Sequence, residues 1–306
     1  MITLYDVPAP AKLNLFLHVV GRRQDGYHCL QTVFRFIDLY DQLTFSRRTD
    51  GVISRTGRHY GDLPPHRDLV IQAAQLLQQV SGSTYGADIY YHKNIPNGAG
   101  LGGGSSDAAT TLIALNKLWG TGLTRQDLLS LAVTLGADVP VFVFGDNAFA
   151  QGVGEQLQPV LLPETEYLLV QPYASISTAE IFKCPDLTRD TKPITMWDFT
   201  KWLQGPRVVN SFATFGRNDL EPVVIKAQPI VAETARLLNQ AGFNARMTGA
   251  GSCFFVESPT PGMAGVMQQE ILGKISARES EANQVIRKTW VCAGLPEHPL
   301  KHWLAS

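Results

Sequence analysis

The residues best equipped for chemistry lie in Pro96-Asn97-Gly98-Ala99-Gly100-Leu101-Gly102-Gly103-Gly104-Ser105-Ser106. Five of the seven positions from Gly98 to Gly104 are glycine, and a helix-forming run comes directly after. Glycine accepts positive φ and leaves bare N–H groups within reach of a ligand, while a helix N-terminus adds unpaired donors and a partial positive charge. That combination suits a phosphate. Two common owners of such a segment are excluded by the residues on its C-terminal side. Gly98-x-Gly100-x-x-Gly103 satisfies a dinucleotide fingerprint, but a second helix stands where the parallel return strand and its acidic residue are needed. A P-loop requires lysine after its last glycine, and here Gly104 is followed by Ser105. Phosphate is therefore expected in another architecture.

The elements that must position this segment are legible from periodicity. Leu13–Val20, Thr32–Leu39 and Gln42–Phe45 read as strands, with the turn-like Gln24-Asp25-Gly26 between the first two. Asp68–Val80 has helical spacing, and Ala87–Lys93 reads as the strand leading into the glycines. Ser106 or Asp107 is expected to cap the helix beyond them. Thr124–Leu135 is a second helix, stopped by Gly136. The stretch Pro159–Tyr167 marks the best domain boundary. Beyond it come a strand at Tyr167–Gln171, a helix at Pro229–Ala241, the glycine knot Thr248-Gly249-Ala250-Gly251-Ser252, a strand at Cys253–Val256, a polar helix at Met263–Ala282 and a last strand at Thr289–Ala293.

Composition narrows the class. A chain of 306 residues with 44% hydrophobic and 17% charged residues can bury substantial cores, most naturally as two domains. A formal net charge of −1 provides no global basic field, so nucleic acid is not the expected partner and an anion must be held by local donors. Cys29, Cys184, Cys253 and Cys292 are dispersed, the start lacks an export signal, and no apolar run reaches the ~18 residues of a membrane span. A cytoplasmic protein without membrane association is the expectation.

Five separated strings then fall in one order along the chain: Pro8-Ala9-Pro10-Ala11-Lys12-Leu13-Asn14-Leu15, Asp25-Gly26-Tyr27-His28, the Pro96–Ser106 segment, Leu135-Gly136-Ala137-Asp138-Val139-Pro140, and Thr248-Gly249-Ala250-Gly251-Ser252. Together they resemble the GHMP small-molecule kinases, over about Pro8 to Val256. The resemblance implies an α+β, two-domain fold, with a ribosomal-protein-S5-like ATP-binding domain over 1–162 and a ferredoxin-like domain over 163–306 that contributes to the substrate site. It implies ATP as phosphoryl donor and an alcohol as acceptor. The matching branch takes a cytidyl substrate at a tertiary hydroxyl; homoserine- or mevalonate-type acceptors, or non-catalytic nucleotide binding on the same fold, are the alternatives.

Carried over residue by residue, the resemblance makes Asp138 the catalytic acceptor of the hydroxyl proton and Lys12 a cation able to stabilise charge on the transferring group. Pro96 to Ser106 would cradle ATP phosphates. Magnesium would accompany ATP, and no compact carboxylate set identifies a protein metal site. Asn14 lies one strand repeat beyond Lys12, so both side chains share a face. Tyr27 and Phe182 match an aromatic pair that sandwiches the cytosine ring, and His28 matches the reader of the base edge. Thr178, Gly249, Gly251 and Ser252 complete the implied substrate set. The family's usual Asn-Leu beside adenine is Asp68-Leu69 here, which removes an amide donor. The run after Cys292 departs from the usual pattern and reads as a loose surface tail, and Arg278–Glu281 reads as a solvated helix face.

Overall fold

The computed structural model describes residues 2–56, 64–205, 212–277 and 285–304. Its spine is a pair of long antiparallel strands, β1 (Thr3–Arg22) and β2 (His28–Arg48), which absorb the three short strands expected there. Among the described strands β1 is hydrogen-bonded to β2 alone, and it carries register shifts, one of them between Pro10 and Ala11. An edge position with bulges is where Pro8 and Pro10, lacking N–H groups, are tolerated.

The strands β3 (Ile53–Thr56), β4 (Gly86–His92), β5 (Ala148–Gln151) and β6 (Gln156–Pro159) complete this first sheet in the order β3-β4-β2-β5-β6, with β3 parallel to β4. Helices α1 (Leu69–Ser81), α2 (Gly103–Trp119), α3 (Arg125–Leu135) and α4 (Val139–Phe144) share its core, where Val7, Phe34, Phe36 and Phe45 meet Leu77, Leu112, Leu115 and Phe142. The sequence α2, α3, α4 with no intervening strand bears out the exclusion of a Rossmann unit.

The second sheet contains β7 (Glu166–Pro172), β8 (Ala245–Met247), β9 (Phe254–Glu257) and β10 (Ile286–Ala293), antiparallel throughout in the order β10-β7-β9-β8. Between β7 and β8 lie α5 (Thr178–Lys183), α6 (Met196–Leu203), α7 (Glu221–Ala227) and α8 (Pro229–Gln240); α9 (Met263–Ala277) precedes β10. Strand order and helical crossovers are those of the ferredoxin-like β-α-β-β-α-β plan. The expected α+β, two-domain architecture is observed. A third apolar core joins the two sheets: Leu13, Leu15, Phe16 and Ile37 from β1 and β2 pack with Tyr167, Leu169, Phe199 and Phe255.

Two expectations change. Helix α2 begins at Gly103, with Gly102 in the N-cap position and no side-chain cap, so Ser106 and Asp107 lie inside it and are not its cap. The tail is no loose surface segment. His298 and Leu300 are buried, Leu295 N–H donates to Phe36 O, and Asn147 Nδ2 donates to the carbonyls of Leu295 and Pro296. Leu300 and Leu304 belong to the first core, so apolar burial anchors the tail. Burial against Phe36 and Phe142 pushes the His298 imidazole down to about 3. The expected continuation of α9 through 278–282 lies outside the described residues, as does the Arg278–Glu281 stretch. No described helix is long and apolar enough to cross a membrane.

Candidate active site

A cavity of about 380 Å³ opens between the two sheets. Residues from β1 and β2, the glycine segment, Asp138, the turn at Val153-Gly154, α5 and the second glycine knot line it.

Lys12 is its electrostatic centre. The side chain is only 2% exposed; its ammonium donates to Asn14 Oδ1 at 2.5 Å and Gly100 O at 3.0 Å, and it is ion-paired with Asp138 Oδ2 at 3.3 Å. The shared strand face of Lys12 and Asn14 is observed as this bond. Asn14 is itself fixed, its Nδ2 donating to Thr32 Oγ1 at 2.9 Å and its backbone N–H to Thr248 Oγ1 at 2.9 Å. A buried cation is costly unless hydrogen-bonded and paired; two acceptors and one facing carboxylate offset that cost here and fix where Nζ lies.

Asp138 sits between α3, which ends at Gly136, and α4. It occupies the N-cap position of α4, yet its side chain makes no capping hydrogen bond. The carboxylate is 38% exposed, lines the cavity and faces Lys12, so it is not spent on organising its own turn.

The glycine segment presses against both domains. Lys12 N–H donates to Leu101 O at 3.0 Å, stitching β1 to the loop. At Gly100, with φ +74°, a Cβ would stand 2.0 Å from Thr248 O, the second knot's backbone. At Gly102, φ is +72° and a Cβ would crowd Lys12 Cε at 3.0 Å. Only glycine meets these handedness and space requirements. The first intrahelical bond of α2 runs from Ser106 N–H to Gly102 O, and no side chain caps the helix start. The N–H groups of Gly103, Gly104 and Ser105 therefore carry no intrahelical partner, and these residues line the cavity. A helix start of this kind is a ready anion cradle.

Behind the cradle, Lys93 bridges two buried carboxylates, Asp41 on β2 and Asp107 in the second turn of α2. Burial, with Asp41 adding and Lys93 opposing, pushes the Asp107 carboxyl up to about 7. Asp68 caps α1 by accepting from Val70 N–H at 2.9 Å, and its other oxygen binds Arg55 and the Tyr91 hydroxyl. Its carboxylate is thus committed to protein partners, while Leu69 lines the cavity beside Gly104.

Of the residues singled out in the sequence, the structure brings Lys12, Asn14, Pro96 to Ser105, Asp138, Thr178, Phe182, Gly249 and Gly251 to one cavity. It does not bring Ser106, which is fully buried inside α2, nor Ser252, whose hydroxyl donates to Ala174 O at 2.6 Å. Tyr27 and His28 lie beyond the lining. The Tyr27 side chain is 65% exposed, and the ring stacked on Phe182 is that of His28, at 5.0 Å and 30°. Sequence reading missed Asn218, whose Nδ2 holds the second knot through Met247 O and Gly249 O, as well as Thr32. An isolated amide or hydroxyl without a motif carries no signal. The Gly152-x-Gly154 pair does offer a turn signal for the Val153-Gly154 wall.

Known proteins similar to this chain fall in one family. The family model described as the GHMP kinases N terminal domain matches residues 68–146, and that described as GHMP kinases C terminal matches 208–288. The chain is 54% identical over 308 aligned positions to a 4-diphosphocytidyl-2-C-methyl-D-erythritol kinase of Bordetella parapertussis, covering 100% of both chains. A crystal structure of a 4-(cytidine 5'-diphospho)-2C-methyl-D-erythritol kinase superposes with TM-score 0.76 at 31% identity, covering 96% of this chain and 99% of that one. A homoserine kinase from Cytophaga hutchinsonii, at 17% identity and TM-score 0.69 over 97% and 95% of the two chains, shares the fold. With end-to-end identity of that order added to the paired Lys12 and Asp138, the chain belongs to the GHMP kinases, and among them to the 4-diphosphocytidyl-2-C-methyl-D-erythritol kinases.

Proposed function

We propose that this chain transfers the γ-phosphoryl group of ATP to the tertiary hydroxyl of 4-diphosphocytidyl-2-C-methyl-D-erythritol, a step of non-mevalonate isoprenoid precursor biosynthesis. The observation that carries the chemistry is the Lys12–Asp138 pair, 3.3 Å apart on the wall of the cavity lined by the uncapped start of α2. Phosphates bind at the free N–H groups of Gly103, Gly104 and Ser105. Asp138 accepts the acceptor's hydroxyl hydrogen and aligns its oxygen, and Lys12 stabilises negative charge on the transferring group. Because such a transition state is loose, positioning and charge stabilisation carry more of the rate than proton removal.

Magnesium would accompany the nucleotide. Among the described residues there is no group of three or more His, Cys, Asp or Glu able to hold a metal ion, and the carboxylate at the phosphate end of the cavity is Asp138. That donor set fits an ion held chiefly by phosphate oxygens and water, which magnesium favours. When bound, it would neutralise phosphate charge. At the other end of the cavity, Phe182 receives the cytosine together with Tyr27 and His28 from just beyond the lining, and Asn14, Thr178 and Gly249–Gly251 contact the polar body of the substrate. We divide the chain at 162/163, between β6 and β7.

ADP release measured with cytidyl-methylerythritol, homoserine and mevalonate acceptors tests the assignment. Acceptor-dependent ADP is expected with the cytidyl compound alone; turnover of another acceptor in its place would overturn it.

A further inference from the structure

Arg189 stands between α5 and α6, away from the cavity lining, and its half-buried guanidinium makes four hydrogen bonds. Nη1 donates to Leu187 O at 2.9 Å; Nη2 donates to Phe182 O at 3.0 Å and Cys184 O at 2.7 Å. The Nη2 bonds satisfy carbonyls at the C-terminal end of α5, the short helix that carries Phe182, and the Nη1 bond holds the turn that follows it. The fourth bond crosses to the other domain, where Nε donates to Nε2 of His28, the first residue of β2, at 3.0 Å. His28 in turn stacks on Phe182. One planar cation therefore fixes two rings that come from different domains.

A guanidinium has donors only, so His28 Nε2 must accept. The imidazole is then neutral, with its proton on Nδ1. The charged groups that face it are Arg189 and Arg22, which stands opposite it in the β1–β2 ladder. Burial first, then these two cations, hold its pKa below the ordinary value. No described residue bonds Nδ1. The nitrogen left for a ligand is a donor, which complements a carbonyl or ring-nitrogen acceptor on a pyrimidine edge and not an amino group.

We propose that Arg189 is a positioning residue for pyrimidine recognition, locking His28 in its Nδ1–H tautomer against Phe182 and tying the β1–β2 hairpin to α5. The proposal rests on the cytidyl-acceptor reading for its ligand, and its geometry can be tested separately. Long-range ¹H–¹⁵N correlation spectra of the full-length, substrate-free enzyme, with His28 assigned by comparison with His28→Asn, should show a neutral ring protonated at Nδ1. In Arg189→Met the Nε2–H tautomer should appear and the titration midpoint of His28 should rise. The same variant should raise KM for the cytidyl acceptor roughly tenfold or more, as expected for a hydrogen bond to a charged donor, with kcat and KM for ATP within about twofold. Arg189→Lys, which keeps the charge and loses the fork, should not restore KM. An Nε2-protonated ring in the wild type, or an unchanged tautomer and KM in Arg189→Met, would overturn the proposal. Should Arg189→Met fail to fold, the wild-type spectrum decides. Absence of turnover with the cytidyl acceptor in the wild type would sink the substrate reading alone, because the tautomer is read without substrate.

Discussion

Replacing Asp138 by Asn separates what this residue does for the reaction from what it does for the fold. The side chain makes no capping bond and is 38% exposed, so its structural worth is that of a partly solvated ion pair with Lys12, about 0–1 kcal/mol. Lys12 keeps its bonds to Asn14 at 2.5 Å and Gly100 at 3.0 Å in the variant, so the ammonium stays in place. The amide can still accept a hydrogen bond from the acceptor hydroxyl, but it cannot take the proton or supply negative charge. General-base contributions run from about 100- to 10,000-fold. The loose transition state places this case toward the lower end, so turnover should fall more than about 100-fold, roughly 2.7 kcal/mol of barrier. Coupled ADP release gives kcat and both KM values, and thermal unfolding gives stability. KM for ATP should change little and the unfolding temperature should shift by only a few degrees. Near-normal turnover in a folded variant would refute the catalytic role, and a collapse in stability would show that Asp138 chiefly organises its turn.

The same geometry makes further predictions. Asn14→Ala removes the partner at 2.5 Å that fixes Lys12 and leaves Thr32 without a donor, so kcat should drop about tenfold or more and stability by about 1–3 kcal/mol, read by kinetics and denaturant unfolding. Gly100→Ala places a Cβ 2.0 Å from Thr248 O at φ +74°; destabilisation above about 1 kcal/mol and a raised KM for ATP are expected by the same assays. Tyr27→Ala should weaken cytidyl-acceptor binding by about 1–3 kcal/mol in titration calorimetry and leave stability unchanged, because the ring is exposed; an unaltered affinity would remove Tyr27 from the base platform. The unfolded chain protonates His298 near 6.5, whereas the folded one resists to about 3. Its contribution to stability is therefore full above about 6.5 and is lost as pH falls toward 3, at up to about 1.4 kcal/mol per pH unit. Denaturant unfolding between pH 4 and 7 should show a shallower acid limb for His298→Asn than for the wild type.

Much of this site is legible before folding because its parts are short strings with a physical reason for each residue. The five glycines of 98–104 announce left-handed turns that lead into a bare helix start, and the spacing of Lys12 and Asn14 announces a shared strand face. The long helices are equally legible: α1 starts within a residue of the expected position, and α3 opens with its Thr124–Asp127 capping box. Other features depend on contacts distant in sequence. The start of α2 lies ahead of Ser106 because Gly102, in the left-handed region, already ends the loop. The tail looks dispensable because Leu295, Leu300 and Leu304 show no periodicity, although each fills a gap on the first domain. Helix α6 carries a Thr195–Asp198 capping box, but its 8 residues are too few for a helical period to stand out. Asn218 and Arg189 act through carbonyls or rings of residues outside any local pattern, and no motif marks such partners.

The central claim is that this cavity phosphorylates a tertiary alcohol on a cytidyl substrate. ³¹P spectroscopy of the product formed from ATP, magnesium and 4-diphosphocytidyl-2-C-methyl-D-erythritol tests it most directly. A tertiary carbinol carbon bears no hydrogen, so the new phosphomonoester signal should lack the three-bond proton splitting of a primary or secondary ester. One such unsplit monoester, formed in step with ADP and absent from the Asp138→Asn reaction over the same period, is the predicted result. A split monoester signal, or ADP formed without any new monoester, would contradict the account.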